Sequence, residues 1–120
     1  MGFTDMSIMG SDTAADMALD IGNMLAKALK EESKEENNEY NTDGIENVAM
    51  FFEEVICKSG NAFSHNDDLL ALADKIANSL KSRIKELGKK EYKNDESAHS
   101  FIRRYRQMLK AINKWIENNS

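Results

Sequence analysis

Four stretches of the chain repeat apolar residues at intervals of three and four, the spacing of one face of an α-helix, and none alternates in the manner of a strand. The first follows a cap at Ser11 or Asp12 and runs to about Glu32, with Ala14, Met17, Ala18, Ile21, Met24, Leu25 and Ala28 as its expected buried stripe. Gly22 falls inside it. A glycine there costs about 1 kcal/mol against alanine and is usually kept where another backbone comes close. The second helix is introduced by Asp43 and Glu46, spaced as a capping box; it carries Ile45, Val48, Ala49, Phe52, Val55 and Ile56 and ends at Gly60. The third follows Asn66, sets Asp67 and Asp68 in its electropositive first turn, and carries Leu69, Leu72, Ala73, Ile76, Leu80, Ile84 and Leu87 before Gly88. The fourth begins near Asn94 and carries Ala98, Phe101, Ile102, Tyr105, Met108, Leu109, Ile112 and Ile116, with Asn118, Asn119 and Ser120 expected to fray. The pattern predicts an all-α fold, a bundle of four main helices with Phe52, Leu72, Ile76, Phe101, Tyr105 and Ile112 near its centre.

Two stretches stand outside this pattern. Phe3, Met6, Ile8 and Met9 follow no helical period, so residues 1–10 are expected to form an irregular segment lying extended against the bundle. Residues 31–41 are polar and acidic with no apolar face, which reads as a loop. With 120 residues and no internal repeat, the chain is expected to form a single helical domain over residues 1–120, large enough to bury a core without metal or disulfide staples. Prolines are absent, which leaves helix ends to caps and glycines.

Composition narrows the setting. A hydrophobic fraction of 41% beside 31% charged residues is that of a folded, water-soluble chain. No run approaches the roughly 20 apolar residues that span a bilayer. Asp5 and Asp12 stand where a secretory signal needs basic residues, so a cytoplasmic location is expected. The single cysteine, Cys57, closes the apolar run from Val55 and is expected to be a buried spectator rather than a nucleophile.

The opening Met1-Gly2, followed by Gly10-Ser11-Asp12-Thr13-Ala14-Ala15-Asp16, resembles a family of small uncharacterised bacterial proteins, a domain of unknown function. Its members typically begin Met-Gly with a tryptophan close by and continue through a Phe-x-Asn-Asp-x-Ala-x-Asp run into a helix. This chain has Phe3 and Thr4 where the family usually offers tryptophan and glycine. The resemblance implies a helical fold and carries no assigned activity.

Catalytic chemistry finds little to build on. Glu96 and His99 have the Glu-x-x-His spacing of di-iron bundles, but such sites need a second copy and two further glutamates, and only one copy exists here. His65 with Asp67 and Asp68 has the ingredients of a metal site, yet the same run is an ordinary helix start. Phosphate-loop, dinucleotide, nucleophile-elbow and zinc-protease motifs are all missing from the sequence. The expectation is a non-enzyme with no catalytic residue, cofactor or metal.

Charge is distributed unevenly, with 4 Lys and Arg against 15 Asp and Glu in residues 1–68, net −11, and 12 against 6 in residues 69–120, net +6. Acidic early helices packed beside basic late ones account for this without any partner. Two surfaces offer functional readings beyond it. Phe3, Met6, Ile8 and Met9 form a methionine-rich segment suited to docking on another protein or a second copy of the chain. Arg103, Arg106, Lys110 and Lys114 recur at helical spacing on the last helix, the footprint of phosphate contact, although the chain as a whole carries −5. The first reading, a non-catalytic protein-interaction module serving as a small bacterial or phage regulator, inhibitor or accessory factor, is the leading expectation. A nucleic-acid-binding helical protein is the alternative.

Overall fold

The computed structural model describes residues 12–34, 44–60 and 62–120. Four helices make up the bundle: α1 (Asp12–Glu32), α2 (Gly44–Phe51), α3 (Asp67–Leu87) and α4 (Glu96–Asn119). No strand occurs among the described residues. The helix α2 runs directly into a π-helical turn at Phe52–Ile56, and a 3₁₀ turn at Lys90–Tyr92 joins α3 to α4. The α3–α4 pair forms the most extensive contact; α1 lies against α3 and α2, and the π turn reaches α4.

Local chemistry sets the boundaries of α3 and α4. Asn66 caps α3, its side-chain oxygen accepting from the Leu69 amide at 3.0 Å. Gly88 closes the same helix, its amide donating to the Ile84 carbonyl at 3.0 Å. Asp95 caps α4 by accepting from the Ala98 amide at 3.1 Å, one residue beyond the start expected at Asn94. The capping role expected of Asp43 lies outside the described residues.

The core is one cluster to which all four helices contribute. Val48, Phe52, Ile56, Leu69, Ile76, Leu80, Met108 and Ile112 have no exposed surface. Trp115 sets its ring edge-on to Phe52, centroids 5.0 Å apart at 86°. The stripe of α3 enters this core as its spacing predicts, from Leu69 to Leu80.

Four details depart from the sequence reading. In α1 the buried face is rotated from the expected stripe: Ala14 is buried and Ala18 and Leu25 are half-buried as expected, but Met17, Ile21, Met24 and Ala28 face outward, and Gly22, Ala26 and Leu29 face the bundle in their place. The cause is visible at Gly22, where a β-carbon would meet the Asn66 amide nitrogen at 2.5 Å. A side chain rather than a backbone fills the notch, and Asn66 also donates to the Asn23 side-chain oxygen at 3.0 Å, fixing the rotation of α1 about its axis.

Val55, expected inside, is exposed. The Cys57 amide donates back to the Phe52 carbonyl at 2.9 Å, the i→i−5 bond of a π turn. Each residue in such a turn rotates less than the roughly 100° of an α-helix, so Ile56 stays in the core and Val55 falls short of it. On α4, Phe101 is 45% exposed and stacks on Tyr105 at the rim, so it is not a central core residue; Trp115 occupies the interior instead. Finally, Asn119 does not fray: it is buried, accepts from the His65 amide at 3.2 Å and donates from its side chain to the Trp115 carbonyl at 2.8 Å.

Candidate functional site

Three surfaces bring chemically useful residues together. The first is a cleft of about 670 Å³ between the π turn and the C-terminal half of α4, reached by Glu53, Cys57, Lys58, Arg104, Lys114 and Trp115. Of its charges, Glu53, Glu54, Lys58 and Arg104 are committed to one another. Arg104 donates twice to the Glu53 carboxylate, at 3.0 and 2.7 Å, in a fork that raises the guanidinium pKa further and ties the π turn to α4. Lys58 pairs with Glu54 at 2.8 Å.

Cys57, half-buried beside them, donates its thiol to the Ala111 carbonyl at 3.6 Å. Burial, followed by the negative charge of Glu53, pushes the thiol from its ordinary 9.0 up to about 11. Such a thiol remains protonated at neutral pH, and neither histidine reaches the cleft to activate it. Among the described residues, nothing in the cleft activates Cys57 as a nucleophile. The Trp115 indole N–H at its floor is buried and meets no acceptor among the described residues, while its ring contributes packing against Phe52.

The two histidines sit apart. His65 occupies the turn before α3 with a positive φ of 56°, and its side chain is exposed. His99 lies in the first turns of α4, also exposed, on a shallow groove shared with lysines 89, 90 and 93. Among the described residues no group of three His, Cys, Asp or Glu converges as a metal site requires.

The second surface is the basic row of α4. Arg103, Arg106, Lys110 and Lys114 are all exposed and share one face of the helix, opposite Met108, Ile112 and Trp115. Arg103 donates to the Ser100 hydroxyl at 3.4 Å, whereas Arg106, Lys110 and Lys114 form no ion pair among the described residues. Arg104, their neighbour in sequence, is removed from the row by its pairing with Glu53.

The third surface is made of residues that the helical period alone places in the core. Met17, Ile21 and Met24 are 57%, 46% and 70% exposed, and Ala28 continues their line. They occupy consecutive turns of α1 on the side away from Ala26 and Leu29. The spacing was visible in the sequence; its outward direction was not, because nothing local to α1 reports where Asn66 sits. Phe3, Met6, Ile8 and Met9, the residues expected to dock a partner, lie outside the described residues.

No helix among the described residues is long and apolar enough to cross a membrane. Compared with models of protein families, with curated proteins and with solved structures, the chain matches none.

Proposed function

We propose that this protein acts without catalysis, as a protein-docking bundle of bacterial or phage type whose working surface is the outer face of α1. The observation that carries the reading is the exposed row Met17, Ile21 and Met24, set on a helix that already buries a different face in the core. Methionine supplies adaptable apolar contact, and an apolar row at helical spacing fits a groove or a partner helix. Phe3, Met6, Ile8 and Met9, immediately upstream in the chain, are residues of the same chemistry. The paired charges and protonated thiol of the α4 cleft favour the same non-catalytic reading.

The test uses size-exclusion chromatography of an extract from the source cells. The wild-type chain should elute in an assembly larger than its own 13.6 kDa, and the doubly substituted Ile21→Glu, Met24→Glu chain should elute at monomer size with unchanged helical content. Equal elution of the two, or loss of folding in the variant, counts against the reading.

A second reading rests on the α4 row, where Arg106, Lys110 and Lys114 hold no ion pair among the described residues. Phosphate contact through them would show as binding of labelled DNA or RNA that weakens steeply between two salt concentrations. Absence of binding at the lower salt removes this reading.

A further inference from the structure

The exposed row on α1 has a definite internal order. Met17, Ile21, Met24 and Ala28 are separated by four, three and four residues, the alternation of a coiled-coil seam. Its ends are set by composition: one turn before Met17, Ala14 is buried in the bundle, and Glu31, the next seam position after Ala28, is charged and exposed. The seam is thus about three turns long.

Its two flanks differ. On the side toward the bundle lie Ala18 and Leu25, both half-buried. On the open side lie Asp20 and Lys27, both exposed and seven residues apart, so they hold equivalent positions beside the seam but carry opposite charge. That arrangement selects its own partner. A second copy of α1 laid antiparallel, with Ile21 facing Met24 and Met17 facing Ala28, sets Asp20 of each copy beside Lys27 of the other. A parallel pairing would set the open side of each helix against the bundle side of the other, so that Asp20 would lie beside Leu25 and the reciprocal Asp20–Lys27 pairs could not form. Flanking charges of this kind fix orientation in two-helix contacts. The two-fold arrangement also satisfies the rule for a closed dimer, in which one surface serves both partners.

We propose that the partner of the outer α1 face is a second copy of this chain, bound antiparallel through Met17, Ile21, Met24 and Ala28 and oriented by reciprocal Asp20–Lys27 pairs. The proposal rests on the reading of that face as a docking surface and names its occupant. Three helical turns against three is a small contact beside the roughly 1,200–2,000 Å² of stable complexes. The dimer is accordingly a reversible one, formed and lost with concentration.

The experiment is sedimentation velocity on the purified full chain across the micromolar range. Wild type should pass from monomer to dimer with rising concentration. Asp20→Lys and Lys27→Asp should each weaken association about tenfold, since two attractions become two repulsions. The combined Asp20→Lys, Lys27→Asp chain should regain most of the loss. Both positions are exposed, and circular dichroism of each variant verifies that the fold is intact.

Three results would overturn the proposal: a monomer throughout, a dimer indifferent to the single reversals, or single reversals that the combination does not rescue. If the purified chain stays monomeric after residues 1–11 are also removed, a self-contact hidden by that segment is excluded as well. The two levels separate cleanly. A monomer in isolation that still loses its larger assembly in extract on Ile21→Glu, Met24→Glu substitution keeps the docking surface and discards the self-partner.

Discussion

Helices α1 and α3 are both 21 residues long and both carry an apolar stripe at the same spacing, yet the α3 stripe is the heart of the core whereas Met17, Ile21, Met24 and Ala28 of the α1 stripe face outward. In α3 the residues off the stripe are mostly polar or charged, so only one orientation buries apolar area. In α1, alanines and leucines extend around more of the circumference, and two faces compete for the interior. The notch at Gly22 decides the contest, because only that side of α1 accepts the Asn66 side chain that caps α3. An amphipathic pattern therefore indicates that a helix has an apolar face; it indicates burial of that face only when no second face is available. What remains outside is then a candidate for contact between molecules.

The contrast is broken most sharply by truncating equivalent side chains on the two stripes. Ile76→Ala, at a position with no exposure, should lower the urea unfolding free energy by about 2–5 kcal/mol through lost burial and a residual cavity. Ile21→Ala on α1 should change it by no more than about 1 kcal/mol when measured at a concentration where the chain is monomeric. Comparable losses at both sites would mean that the outer stripe belongs to the core.

The notch itself gives the next largest effect. In an unobstructed helix Gly22→Ala should stabilise by about 1 kcal/mol. Here the added β-carbon meets the Asn66 amide, so a loss of about 1–3 kcal/mol is expected. Asn66→Ala alone removes a cap and should cost about 0.5–2 kcal/mol. Combined, the two substitutions should cost less than their sum, since removing the amide also removes the clash. Strict additivity in the thermal unfolding of the four chains would show that Gly22 and Asn66 do not act as a unit.

The smallest effect concerns the face opposite the core. Met24→Glu on α1, at 70% exposure, should leave the unfolding free energy within about 0.5 kcal/mol of wild type. Phe101→Ala, at a half-exposed side chain stacked on Tyr105, should fall between that value and the about 2–5 kcal/mol expected for Met108→Ala on the buried face of α4. A reversal of that order in denaturant titrations would restore Phe101 to the centre of the bundle.

Much of the candidate surface was legible before any coordinates. The row Arg103, Arg106, Lys110 and Lys114 lies on one exposed face as the spacing requires, because four basic side chains at helical intervals have no favourable destination but water. The α1 row was legible as a pattern and misread as to destination. Trp115 is hard to read for the same kind of reason: Met108, Ile112, Trp115 and Asn119 keep helical spacing, but an asparagine and a lone indole do not announce a buried face.

The sequence by itself determined the number of helices, the start and stop of α3, the start of α4 to within one residue, and which face of α3 is buried. These follow from caps acting over three or four residues and from a periodicity that local backbone geometry converts directly into a face. Tertiary structure alone decided the phase of α1, the outward turn of Val55, the exchange of Phe101 for Trp115 in the core, and the anchoring of Asn119. Each of these goes with a contact far along the chain: Asn66 against Gly22, the Glu53–Arg104 fork beside the π turn, the Trp115 ring edge-on to Phe52, and the His65 amide on the Asn119 carbonyl. A helical period fixes the angle between residues of one helix but not the angle between that helix and its neighbours, and it is the second angle that decides which apolar row becomes core and which remains for a partner.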